Sequence, residues 1–202
     1  MATKNTSSRK STLDRRVVVK ALLADRGDAL LVTGLGSSCY DAGTVDHPNI
    51  FYLWGGMGGA AMIGVGIALA QPKRRVLVIT GDGEMLMGVG SLATIGAEKI
   101  RNLSIIVIDN ELYSETGMQP THTSRGVDLA GMAQAAGFAT TGTVSTLAEV
   151  KTWIPKLYAT PGPVFLDIKV NAARYPLSIR LRDGAHIKNR FRESLLGAKA
   201  FD

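Results

Sequence analysis

The chain has 202 residues, suited to one domain, and 46% of them are hydrophobic, enough to bury a core. One cysteine excludes a disulfide framework or a cysteine-built zinc or iron–sulfur centre, and three histidines leave no histidine cluster. The net charge of +6 sits at the ends: residues 1–26 hold seven Lys/Arg against two acids and residues 169–202 eight against three, around an acidic middle with eight against twelve. A nucleic-acid-binding domain calls for a basic stripe on the folded body, and this body shows none. The basic ends read as solvated tails, or next as surfaces for a partner subunit or an anionic substrate. The low cysteine use is consistent with a reducing cytoplasm.

Residues 1–12 are polar and basic without an apolar run, so they read as a disordered tail rather than a secretory signal. Leu13–Arg26 reads as a helix, Ala29–Thr33 as a strand and Gly34–Ser38 as a Gly/Ser turn. Ile50–Ala70 runs 21 residues without a charge, near the length of a membrane span, but six glycines interrupt it. A short strand (Phe51–Trp54), a glycine turn and a buried helix (Ala60–Ala70) explain it better. In that helix Ala60, Gly64 and Ala68 form a small-residue ridge for close packing. Arg75–Thr80 follows as a strand, Glu84–Ile100 as a helix, Leu103–Asp109 as a strand and Asn110–Val127 as a long polar loop. Asp128–Ala136 (helix), Ala139–Val144 (strand), Leu147–Ala159 (helix) and Val164–Val170 (strand) complete a body of residues 13–170. Residues 171–202 form a basic extension with a helix near His186–Leu196. Continuous Val/Ile/Leu strands alternating with helices predict an α/β fold, a doubly wound, mostly parallel sheet with helices on both faces.

In such sheets ligands bind beyond the carboxyl ends of the strands, near a topological switch point. Three segments bring glycine or polar residues there: Gly34–Ser38, Gly81-Asp82-Gly83-Glu84, and Asp109–Gly117. Glycines admit close backbone approach, and the amides opening a helix can receive a phosphate. An acid among phosphates repels them unless a cation lies between, so Asp82 reads as a ligand for a hard divalent ion. The alternative makes Asp82 only an N-cap. Asn110 lies 28 residues after Asp82, one strand–helix–strand step, which puts both strand ends on one sheet edge. Asn110 can then offer a neutral oxygen to the same ion, with a loop carbonyl, Leu112, as a third. One carboxylate with neutral oxygens suits Mg²⁺, which keeps places for phosphate and water. An Asp-Asn turn after a strand is the alternative.

G-D-G followed about thirty residues later by Asn after an apolar strand resembles the thiamine-diphosphate signature of the decarboxylase and acetolactate-synthase superfamily. Gly55 to Thr121 is most similar to the sulfopyruvate decarboxylase β chain and the matching half of phosphonopyruvate decarboxylase, above all in GDGEMLMGVGSLATIGAEKIRNLSIIVIDNELYSETGMQPT. The resemblance implies a thiamine-diphosphate-binding domain over residues 13–170, with Asp82, Asn110 and the Leu112 carbonyl on Mg²⁺. It implies that Gly81, Gly83 and Glu84 meet the diphosphate through backbone groups. Ser114, Glu115 and Thr116 would close over the phosphates, and Ser37 and Ser38 would touch them. Met57 would support the thiazolium, and the Gly55 carbonyl would accept from the aminopyrimidine. A core methionine is the plain alternative for Met57, as expected of Met62, Met85 and Met87. Asp109-Asn110 stands where the family often has Asn-Asn, and Gly117-Met118-Gln119 where close relatives have Gly-Gly-Gln, which leaves the substrate open.

The implied chemistry is decarboxylation of a small anionic 2-oxoacid. The glutamate that activates the cofactor has no candidate here, so a separate pyrimidine-binding subunit is expected, giving a cytoplasmic hetero-oligomeric lyase. His122 is a candidate acid or anion contact, with a surface loop histidine as the plain alternative. Arg125 has the same status, His47 and His186 have no supporting context, and Cys39 reads as a buried small residue. The rival functions are an acetolactate-synthase-like carboligase subunit, a non-catalytic cofactor-binding regulatory subunit, and a nicotinamide-binding domain. The last rests on Gly34-Leu35-Gly36-Ser37-Ser38-Cys39, a partial fingerprint without its third glycine.

Overall fold

The computed structural model describes residues 11–178 and 182–201. Six strands form one parallel sheet: β1 (Leu30–Thr33), β2 (Ile50–Tyr52), β3 (Val76–Gly81), β4 (Leu103–Asp109), β7 (Thr140–Val144) and β8 (Val164–Lys169), in the order β2-β1-β3-β4-β8-β7. A two-stranded antiparallel ribbon, β5 (Leu112–Tyr113) with β6 (Gln119–Pro120), stands apart from it. The strands of the main sheet alternate their side chains between two cores. Leu31, Leu77, Ile79, Ile106, Ile108, Leu166 and Ile168 face one core, with helices α1 (Arg15–Leu23) and α7 (Leu147–Ala159). Leu30, Val32, Val76, Val78, Ile105, Val107 and Phe165 face the other, with α3 (Ala60–Ala70), α5 (Ser91–Glu98) and α6 (Leu129–Ala135). Burial on both faces is why these strands read as unbroken apolar runs.

The expected small-residue ridge packs against the sheet. Ala60, Gly64 and Ala68 are all buried, and a Cβ at Gly64 would lie 2.4 Å from Val78 Cγ2. Among the described residues no helix is long and apolar enough to cross a membrane.

Several expectations need correction. The helix placed at Glu84–Ile100 is two helices, α4 (Asp82–Met87) and α5, parted by Gly88-Val89-Gly90. Two glycines in three residues weaken a helix by about 1 kcal/mol each. Gly88 also lies so close to the Gly55–Gly59 turn that a Cβ there would sit 2.3 Å from the Gly58 carbonyl oxygen. The first helix is shorter than Leu13–Arg26 because Asp14 caps it, accepting from the Arg16 and Val17 amides. The strand expected at Phe51–Trp54 begins and ends earlier, at Ile50–Tyr52. The polar loop 110–127 contains the β5–β6 ribbon and a short 3₁₀ turn, Thr123–Arg125. Of the four methionines, Met85 alone is in the core, while Met62 and Met87 are exposed.

The basic ends are not merely solvated. Arg15 and Arg16 both pair with the buried Asp41 of α2 (Ser37–Ala42), Lys169 pairs with Asp109 and Asp167, and Arg190 pairs with Asp46. The C-terminal helix α8 (Gly184–Leu196) covers edge strand β2 through Phe191, whose ring lies 5.6 Å from that of Phe51. Residues 1–10 of the expected N-terminal tail lie outside the described residues. Ser11 donates to the Lys169 carbonyl, and the Thr12 carbonyl accepts from Asn171.

Candidate active site

The strand order reverses at β1 and β3, since the chain passes from β1 outward to β2 and then back to β3. The turns after β1 and β3 open at this switch point, and the loop after β4 folds over them. Together they enclose a cleft of about 680 Å³. Ser37, Ser38, Met57, Gly81, Asp82, Gly83, Glu84, Asn110, Leu112, Ser114, Glu115, Thr116 and His122 all line it. Gly55 does not line it and sits in an exposed turn. Arg125 is exposed and also lies off the lining.

The pairing of Gly81 with Ile108 across β3 and β4 sets Asp82 and Asn110 on the same sheet edge. Asp82 is not an N-cap: it is the first residue of α4, capped by the Gly81 backbone without a side-chain hydrogen bond. Its Oδ2 accepts from Thr121 Oγ1 at 2.5 Å and from Thr123 Oγ1 at 3.2 Å. Among the described residues no other side chain donates to Oδ1. Burial, and then the neighbouring Asp109, push the Asp82 carboxyl up to about 7. Asn110 Oδ1 accepts from the Leu112 amide at 3.0 Å, and its Nδ2 donates to Ser114 Oγ at 2.9 Å. The turn reading of Asp109-Asn110 therefore holds, and the Asn110 oxygen still has a second lone pair.

The glycines serve packing as much as ligand approach. A Cβ at Gly83 would lie 2.4 Å from the Tyr113 ring, whereas one at Gly81 would meet nothing within 4 Å. Glu84 points to the β1 turn, where its Oε2 accepts from the Leu35 amide at 2.7 Å and from Thr80 Oγ1 at 2.8 Å. Burial raises this carboxyl above its ordinary value, against the pull of Thr80 and nearby backbone amides. A Cβ at Gly34 would fall 1.7 Å from that oxygen, so a side chain there would displace Glu84 from its bonds to Leu35 and Thr80. Glu115 lies over Gly36, the left-handed glycine (φ 71°) before α2, so the loop after β4 comes close to the β1 turn.

Three groups of residues escaped the sequence reading. Thr121 donates to Asp82, and the single Thr123 hydroxyl proton lies within reach of both Asp82 Oδ2 at 3.2 Å and Asp109 Oδ1 at 3.0 Å. Lys169 lies between Asp109 and Asp167, beneath the same edge. Arg15 lines the cleft from α1. The Thr-x-Thr spacing beside a polar loop was a faint signal, while Arg15 and Lys169 gave none. Cys39 is buried against Thr33 and its thiol is pushed up to about 12 by burial, which leaves it inert, as expected.

Comparison with known proteins matches residues 36–168 to the family described as thiamine pyrophosphate enzyme, C-terminal TPP binding domain. The sulfopyruvate decarboxylase subunit beta of Methanothermobacter thermautotrophicus is 34% identical over 187 residues, which cover 92% of this chain and 97% of that protein. A phosphonopyruvate decarboxylase of Streptomyces viridochromogenes is 37% identical over 158 residues, 77% of this chain but 39% of that protein, so the chain spans well under half of such relatives. Benzoylformate decarboxylase of Polynucleobacter necessarius shares the fold, with a TM-score of 0.66 at 21% identity over 82% of this chain and 34% of that one. The chain belongs to the thiamine pyrophosphate enzymes and carries the C-terminal TPP-binding domain of that family.

Proposed function

We propose that the chain is the diphosphate-binding subunit of a two-chain thiamine-diphosphate-dependent 2-oxoacid decarboxylase, acting with Mg²⁺ on a substrate of the sulfopyruvate or phosphonopyruvate type. The observation that carries this is the Asp82 carboxylate at the switch point, with one oxygen held by two threonines and the other free of side-chain donors. A divalent cation beside Asp82 offsets both causes of its raised pKa, burial and the nearby Asp109 charge. Asp82, Asn110 and the Leu112 carbonyl hold that cation in this reading. No cluster of three His, Cys, Asp or Glu exists among the described residues, and a donor set with one carboxylate is what Mg²⁺ takes when phosphates complete its shell. The open space at Gly81 and the backbone of Gly83 and Glu84 receive the diphosphate, flanked by Ser37 and Ser38. Ser114, Glu115 and Thr116 close over it, and Met57 supports the ring system. Gly55 presents its carbonyl to the aminopyrimidine from the exposed rim. When bound, the cofactor supplies the electron sink that carbon dioxide loss requires. His122, exposed on the cleft wall, then contacts the substrate's acid group or moves a proton.

A partner subunit supplies the rest. The chain covers almost the whole of a subunit named beta, but 39% of a phosphonopyruvate decarboxylase. No acid among the lining residues is unassigned for cofactor activation in this reading. The assembly works in the cytoplasm, where the buried Cys39 stays reduced.

The test is calorimetry of thiamine diphosphate with Mg²⁺ on the full chain, wild type and Asp82→Ala. Wild-type binding should need the metal, and Asp82→Ala should lose it by tenfold or more; equal affinity in the two sinks the reading. Turnover of sulfopyruvate should appear only when a pyrimidine-binding chain is added. Acetolactate formed from pyruvate by that complex would favour a carboligase, as the 28% identity to an Escherichia coli acetolactate synthase large subunit allows.

A further inference from the structure

Arg15 stands out on the cleft wall. It is the only Lys or Arg among the lining residues, while Asp82, Glu84 and Glu115 are acids. Its side chain is 6% exposed, and its Nε donates to Asp41 Oδ2 at 2.6 Å. The same carboxylate takes Arg16 Nε on its other oxygen at 2.9 Å. Two guanidiniums thus share one buried carboxylate, and both also lie over the Tyr175 ring. Asp14 adds a second negative charge near Arg15, while its oxygens accept from the α1 amides and the Tyr175 hydroxyl and leave the guanidinium without a bond to it. Arg15 Nη1 donates to the Ala173 carbonyl, and among the described residues Nη2 has no hydrogen-bond partner. Arg16 makes similar contacts, to the Pro176 carbonyl and the Tyr175 ring, yet does not line the cleft. Of the two, Arg15 alone faces the cleft, with a guanidinium N–H uncommitted among the described residues.

We propose that Arg15 is an anion-recognition residue whose guanidinium takes an acid oxygen of the ligand in the cleft. The position favours a phosphoryl oxygen of the diphosphate, because Asp41 anchors Arg15 to the helix that carries Ser37 and Ser38. This rests on the reading of the cleft as a thiamine-diphosphate site. The other source of the same chemistry is the acid group of the 2-oxoacid. Asp41 fixes the guanidinium plane in advance, which limits the entropy lost on binding.

The experiment uses the full chain with Mg²⁺ and three variants, Arg15→Met, Arg15→Lys and Arg16→Met. Two calorimetric arms are run: inorganic pyrophosphate on the free chain, and sulfoacetate on the chain saturated with thiamine diphosphate. A charged hydrogen bond of this kind is worth roughly tenfold or more in affinity. Arg15→Met should lose about tenfold in one arm, Arg15→Lys should fall between it and wild type, and Arg16→Met should stay within about threefold. A loss for pyrophosphate assigns the oxygen to the cofactor, and a loss for sulfoacetate assigns it to the substrate. Should Arg15→Met fail to fold, Arg15→Lys carries the same comparison with its charge kept and its fork removed. Unchanged affinity in both arms, or an equal loss in Arg16→Met, overturns the proposal. Asp82→Ala runs alongside: retained metal-dependent pyrophosphate binding there would overturn the cleft reading itself, whatever Arg15 does.

Discussion

Thr121 donates to one oxygen of Asp82, with Thr123 within reach of the same oxygen, and no side chain among the described residues donates to the other. Thr123 also touches Asp109, which pairs with Lys169, and Lys169 reaches Asp167 Oδ2 at 3.2 Å. One lysine cannot neutralise two buried carboxylates. Burial, with Asp109 next, accordingly pushes the Asp167 carboxyl up to about 7. The site thus sits on a base in which charges are counted closely and hydroxyls set the orientation. Groups that orient metal ligands typically contribute ten- to a hundredfold in metal affinity. Thr121→Val should therefore raise the Mg²⁺ concentration that half-saturates thiamine diphosphate binding by roughly that factor, while Thr121→Ser keeps it. Titrating Mg²⁺ at fixed cofactor measures this. A Val variant as tight as the Ser variant would show that Thr121 only fills space. The place of Asp82 at the sheet edge was legible because G-D-G stands between a buried strand and a helix, although G-D-G alone is common and needed the Asn110 spacing beside it. The two threonine partners of Asp82 lie 39 and 41 residues away, in a loop whose path follows from tertiary packing.

At the scale of elements, legibility followed burial. β4 was read to its ends because every residue in it is buried, and α3 and α7 because apolar runs stop at Gly/Pro-rich or capping residues. The break between α4 and α5 was missed because Leu, Met and Val keep up a helical pattern across Gly88 and Gly90, and the close approach of Gly88 to Gly58 is a tertiary contact that no local pattern shows. The docking of α8 was missed because basic residues outnumber the two that matter, Ile187 and Phe191. Contacts of this kind join residues far apart in sequence, as Arg15 and Asp41 do across 26 positions, and no local pattern announces them. The glycines of α3 allow a direct check of the ridge. Gly64 has no room for a Cβ beside Val78, while Gly66 has nothing within 4 Å. Gly66→Ala should gain roughly 0.5–1 kcal/mol, the ordinary helix benefit. Gly64→Ala should lose net stability, since overpacking costs about 1–3 kcal/mol against the same benefit. Urea melts of the two variants measure both, and a stabilised Gly64→Ala would mean the ridge is not tight.

The whole molecule presents one apolar rim at the cleft mouth. Trp54, Met57, Met62 and Met87 are 37%, 37%, 42% and 67% exposed. Met57 and Met87 line the cleft, Trp54 and Met62 flank the Gly55–Gly59 turn in sequence, and Met87 lies against that turn, where a Cβ at Gly58 would be 3.3 Å from Met87 Cγ. A soluble surface rarely leaves such a cluster bare, and methionine suits an interface that repacks. Under the function proposed above, the pyrimidine-binding subunit is the occupant assigned to this rim, because Met57 and Met87 belong both to it and to the cleft wall. Val17 on α1 is a matched control, 46% exposed and away from the lining. Met87→Asp should weaken assembly with that subunit by about thirtyfold or more, the effect of losing a central apolar contact worth about 2 kcal/mol. Val17→Asp should leave assembly unchanged, and both variants of the isolated chain should melt within about 0.5 kcal/mol of wild type. Sedimentation of the mixed subunits distinguishes the cases: equal assembly of wild type and Met87→Asp moves the partner off this rim, and with it the route by which a second chain reaches the cofactor.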